Sequence, residues 1–146
     1  RAYYSSHQTY LDGLLDLTQN EGIAHFLTFE QQYSGMLPYD WETKIAASFA
    51  EFNRSAGELL SSRITPQRAN FLISTSNTSK YWESYGAITG MFIARTIDAK
   101  LGRRSLTETI ANGADDFYLK YASLVERDNS LPKLSPQIAT HLSTER

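Results

Sequence analysis

The segment Asn20-Glu21-Gly22-Ile23-Ala24-His25 holds the residues of this chain best suited to chemistry. Glu21 and His25 are four apart, so on a helix they share one face, and a carboxylate with an imidazole at that spacing can chelate a metal ion. Two donors are not a complete site, and a solvated Glu beside a tolerated Gly is the plainer reading of the same letters. Gly22 is the anomaly. A glycine inside a helix costs about 1 kcal/mol relative to alanine, so its presence predicts that something approaches the helix closely there.

A second group lies downstream. Tyr81 and Tyr85 read as one turn apart on a helix, each with a phenolic hydroxyl to donate, and beside them Gly86, Gly90 and Ala94 recur every four residues. Such a stripe forms a groove that admits another backbone or an extended ligand. It has two readings: it seats the glycine-bearing first helix, with the tyrosines as aromatics at the core edge, or it receives a peptide or partner helix. The other histidines, His7 and His141, read as ordinary surface or helix-end residues. The chain contains no HExxH, DxDxDG, GxxxxGK or GxSxG, so no local motif for zinc, calcium, nucleotide or serine-hydrolase chemistry is complete.

The elements that must position these residues are helices. Tyr10, Leu11, Leu14, Leu15, Thr18, Gly22 and Phe26 fall on a stripe of period near 3.6, with Asp12, Asp16 and Gln19 mainly off it, which predicts a first helix over about Thr9 to Gln31. Pro38 and Asp40 open a second, whose apolar face is Trp41, Ile45, Phe49, Phe52, Ala56, Leu59 and Leu60. Thr65-Pro66 and Ser135-Pro136 each read as a cap followed by proline at the first helical position, and Ser74 to Ser79 as a polar loop. A third long helix is expected from Lys80 to Leu101, with Tyr81, Tyr85, Ile88, Phe92, Ile93, Thr96 and Ile97 on one broad face and Gly102 ending it. Ser105 to Glu108 has capping-box spacing, so another helix is expected from Leu106, carrying Ile110, Gly113 or Ala114, Phe117, Tyr121 and Leu124 inward. No convincing period-2 strand occurs. The expected class is all-α, a single domain of about six helices in orthogonal or bundle-like packing.

A length of 146 residues suits one domain with one hydrophobic core, and a formal net charge of -2 argues against a nucleic-acid partner or a basic membrane-binding face. No apolar run is long enough to span a bilayer. With no cysteine there is no disulfide framework and no thiolate metal site, while the compartment stays open.

The order of motifs resembles a family. Leu11 to Ala24 (LDGLLDLTQNEGIA), then Tyr85 through Gly90-Met91-Phe92-Ile93-Ala94-Arg95-Thr96-Ile97, Gly102, Leu106 and Gly113-x-x-x-Phe117-x-x-x-Tyr121 look like the helical C-terminal half of gluzincin-type zinc-dependent peptidases. In that group two histidines of an HExxH helix and a glutamate on a following helix, in an Asn-Glu or Glu-Gly-x-Ala context, hold the metal. The resemblance carries the ligand role to Glu21 alone. Counting back by the family's spacing lands at about Arg1, so residues 1–146 are expected to form the C-terminal part of a longer zincin-like protein. Tyr3-Tyr4-Ser5-Ser6-His7 has the register of an altered HExxH, at a spacing from Glu21 too short for the role.

The resemblance implies a hydrolase of peptides or proteins, with zinc in the complete enzyme and no tight site in this chain alone. Tyr81 or Tyr85 would hydrogen-bond the tetrahedral oxyanion, a role worth about 10²–10³ in rate when one donor is lost. The family-like character and missing cysteines favour an extracytoplasmic location. The alternative function is a non-catalytic helical module that binds a peptide or protein at the Gly86, Gly90 and Ala94 groove.

Overall fold

Thr9 and Asp12 start the helical part of the chain by capping each other. The Asp12 N–H donates to the Thr9 hydroxyl at 3.3 Å and the Asp12 carboxylate accepts the Thr9 N–H at 2.7 Å, which satisfies two donors that a helix start leaves without partners. The computed structural model describes residues 9–144. Through them run α1 (Tyr10–Gln32), α2 (Trp41–Leu59), α3 (Pro66–Thr75), α4 (Tyr85–Leu101), α5 (Arg103–Asn112), α6 (Ala114–Arg127) and α7 (Pro136–Thr144). The expected all-α class is what the chain adopts, as a single compact domain with no strand among the described residues. None of these helices is long and apolar enough to cross a membrane. His7, and with it the Tyr3 to His7 register, lies outside the described residues.

The centre of the domain is α4. Helices α1, α2, α5 and α6 all pack on it, and every residue from Gly86 to Met91 is buried. The sequence shows one broad apolar face there; the helix is instead covered nearly all round, which agrees with the absence of charge between Glu83 and Arg95. The helix also starts later than expected. Residues 81–83 form a turn and Ser84 is the N-cap, so Tyr81 precedes α4 and is not one helical turn from Tyr85.

The close approach that Gly22 predicts is the crossing of α1 and α4. A Cβ at Gly22 would lie 2.3 Å from the Gly90 carbonyl carbon, and a Cβ at Gly90 would lie 2.2 Å from the Thr18 oxygen. Those distances are below any tolerable contact, so both positions require glycine. Gly86 meets a different neighbour, Ser76, whose backbone oxygen would be 2.9 Å from an added Cβ.

Four further expectations are corrected. The span read as one helix from Leu106 is two, because Gly113 takes φ +96°, a conformation reserved for glycine; α5 begins earlier, directly after Gly102 at φ +97°. Ser105 is therefore inside α5, not at its cap. Ile110 is 61% exposed, since the short α5 covers its neighbours only along the edge of Leu106 and Thr109. Gln19, set off the apolar stripe, is buried and donates its amide to the Thr109 carbonyl at 3.0 Å.

His141 is also not a surface residue. Helix α7 packs along α2 and buries Ile138 and Leu142, carrying His141 inward until Nε2 is 2.8 Å from the Asp12 carboxylate. Tyr118, fully buried on α6, donates its hydroxyl to the Leu15 carbonyl at 2.7 Å and so pins α6 to α1.

Candidate functional site

Glu21 and His25 are successive turns of one edge of α1, and both are half-buried. That edge is met by the turn before α4. The His25 and Tyr81 rings stack with centroids 4.0 Å apart and planes 2° apart. His25 Nε2 lies 2.9 Å from the Tyr81 carbonyl oxygen, and the Tyr81 hydroxyl donates to the His25 carbonyl at 2.5 Å. Each residue thus bonds the other's backbone with its side chain. The turn that presents Tyr81 is itself fastened, with the Glu83 N–H on the Lys80 carbonyl at 2.8 Å and the Ser84 hydroxyl on the Ser79 carbonyl at 2.9 Å.

The surroundings are aromatic. Trp82 makes edge contacts with Phe29, Tyr33, Trp41 and Tyr81, and Tyr33 leans on Tyr81 at 4.9 Å. Burial lowers the His25 pKa below its ordinary 6.5, opposed by the bond to the Tyr81 carbonyl and by the charge of Glu21. Removal from water pushes the Tyr81 hydroxyl up to about 12, with Tyr33 adding to the shift. The result is a neutral imidazole beside a carboxylate at the margin of an apolar wall. Trp82 and Tyr33 were not singled out from the sequence; the adjacent pair Tyr81-Trp82 after a polar loop was the signal that could have found them.

Tyr85 stands elsewhere. Its hydroxyl is 3.0 Å from Ser55 Oγ and 3.2 Å from the Leu72 carbonyl, so it joins α4 to α2 and α3, and burial raises its pKa. The small-residue stripe beside it is filled by the chain itself. Gly90 seats α1 and Gly86 seats Ser76, which is the first of the two readings of that groove.

Residues 1–130 match the family model described as "Putative zinc dependent peptidase (DUF5700)". The chain belongs to this family. No curated protein and no solved structure matches it. Helix α7, with His141, falls beyond the matched residues, while its partner Asp12 lies within them.

For a member of a zinc-dependent peptidase family the question is which side chains suit the metal. Zinc takes carboxylate oxygen and imidazole nitrogen in tetrahedral sites, and the Glu21/His25 edge offers one of each. Among the described residues no group of three or more His, Cys, Asp or Glu side chains is arranged to hold a metal ion. The donor chemistry at Glu21 fits zinc as part of a ligand set, not as the whole of one.

Proposed function

We propose that this chain is the helical C-terminal portion of a zinc-dependent metallopeptidase and that Glu21 supplies the glutamate ligand to its zinc, with the α1 edge and the Tyr81-Trp82 wall forming part of the cleft for a peptide substrate. The observation that carries the reading is a half-buried carboxylate in an Asn-Glu-Gly-x-Ala context, one turn before an immobilised imidazole, within a family matched over residues 1–130. A zinc bound there would act as a Lewis acid and lower the pKa of its water. No complete ligand set occurs among the described residues, and on this reading the rest of the set and the general base are supplied elsewhere in the complete protein, so residues 1–146 alone are expected to be inactive and to hold no zinc tightly.

Glu21 needs a fixed approach to a metal, and α1 gives it one: the Gly22–Gly90 crossing locks the rotation of α1 against the central helix. Of the two tyrosines, Tyr81 is the one that touches the Glu21/His25 edge. Serving an oxyanion would require its single hydroxyl hydrogen to leave the His25 carbonyl. For Tyr85 the same hydrogen would have to leave Ser55 and Leu72.

The test compares zinc content and peptide hydrolysis of the protein expressed from its complete coding sequence, native against Glu21→Gln. Stoichiometric zinc with hydrolysis in the native protein, both lost in the variant, is the expected result. A variant that keeps its zinc sinks the ligand role. Calorimetric titration of residues 1–146 with zinc should show no sub-micromolar site, and finding one would mean that the ligand set is complete within this chain.

A further inference from the structure

We propose that His25 is a second metal donor, binding through Nδ1, and that Glu21 and His25 form a two-point site for a divalent transition metal. The proposal rests on the reading of Glu21 given above and adds to it a nitrogen ligand.

The argument begins with the tautomer. A backbone carbonyl only accepts hydrogen bonds, so His25 Nε2, 2.9 Å from the Tyr81 oxygen, carries the hydrogen. In a neutral imidazole the other nitrogen, Nδ1, then has the free lone pair. Metal-binding histidines commonly donate their second ring N–H to a carbonyl or carboxylate, which fixes both tautomer and ring plane. The Tyr81 carbonyl is in that position. The stacked Tyr81 ring, 4.0 Å away and 2° from parallel, and the Tyr81 hydroxyl on the His25 carbonyl further restrict the imidazole, so little side-chain freedom is left to lose on binding.

The second donor is one turn earlier. Glu21 lies four residues before His25 on α1, a spacing that brings two side chains to one face, and its charge acts on the imidazole. Carboxylate with imidazole suits zinc, cobalt or nickel better than calcium or magnesium, which take all-oxygen sets. A purely structural His25 would need only its Nε2 hydrogen. That difference makes the proposal testable.

Glutamine can keep an N–H near the Nε2 position while removing Nδ1, so His25→Gln preserves the bond to Tyr81 and deletes the metal donor. The imidazole nitrogens of the ¹⁵N-labelled chain and the side-chain carboxyl of Glu21, labelled with ¹³C, would be followed by NMR as zinc chloride is added. Before zinc, His25 should be the Nε2–H tautomer. Zinc should then shift His25 Nδ1 and the Glu21 carboxyl together and saturably. Since losing only an outer-shell partner of a metal costs about 10–100-fold in affinity, Glu21→Gln should weaken the effect at His25 by at least about tenfold. His25→Gln should keep the native melting temperature and lose the zinc effect on Glu21.

An Nδ1–H tautomer, zinc shifts confined to His7 or His141, or native zinc affinity at Glu21 in His25→Gln would each overturn the proposal. Glu21 responding without His25 overturns this inference alone and leaves the ligand role of Glu21 standing. His25 responding without Glu21 overturns the two-point site and counts against the Glu21 reading as well.

Discussion

Two edges of α1, one residue apart, are built for different ends. At Gly22 the helix meets α4 backbone to backbone, with so little space that an added Cβ would fall 2.3 Å from Gly90. At Glu21 and His25 the same helix meets a turn through side chains, half-buried, with a hydrogen-bonded imidazole and a carboxylate. The first contact is made by backbone atoms and has no freedom; the second has both chemistry and partial access to water. The difference separates what positions a site from what acts in it. Gly22 draws the eye to this stretch, yet its own reason is packing, and the chemistry sits on its neighbours.

The contrast breaks most easily at the crossing. Gly22→Ala should cost about 3 kcal/mol or more, as overpacking against a rigid backbone does, and lower the melting temperature by roughly 6–12 °C at about 2–4 °C per kcal/mol, read by circular dichroism. A variant as stable as the native chain would mean that the two helices are not in contact there. On the same packing side, Tyr118→Phe removes a buried hydroxyl that donates to the Leu15 carbonyl and should cost about 1 kcal/mol in urea unfolding, with no effect on metal binding.

The other edge should behave differently. The folded-state pKa of His25 is lowered by burial, so in metal-free buffer its neutral form contributes stability above the ordinary value of 6.5, and that contribution is lost as the pH falls below 6.5. An NMR titration should find His25 protonating at lower pH than a histidine in an unfolded peptide; an elevated value would mean that the Tyr81 carbonyl and Glu21 together outweigh burial. The smallest effect belongs to Glu21→Gln, which should change stability by under about 0.5 kcal/mol, as substitutions away from buried networks do. A loss of several kcal/mol would make Glu21 a structural carboxylate and dissolve the contrast.

Much of this was legible beforehand, for definable reasons. The faces of α1 and α2 and the proline starts of α3 and α7 follow from local periodicity and capping, and they hold in the fold except at a few edges. In the sequence Gly113 fits an inward position of one helix, because a glycine suits a helical register as well as a break; only its φ of +96° distinguishes them. Tyr81 fits a helical register for a similar reason, since Lys80 to Ser84 continue the apolar spacing while their backbone turns. The burial of His141 and Gln19 is not legible locally, because a polar residue off an apolar stripe looks solvated until a distant partner is supplied, and Asp12 and Thr109 are far away in sequence.

By itself the sequence determined the helical class, the need for a close approach at Gly22, and the pairing of Glu21 with His25 on one helix edge. These depend on steps of three or four residues, which local chain geometry sets. Which backbone fills the space at Gly22, which tyrosine reaches His25, and which imidazole nitrogen keeps its hydrogen were decided by the tertiary structure. Each depends on groups 56 residues apart or more, and such groups meet only after the central helix has gathered its neighbours.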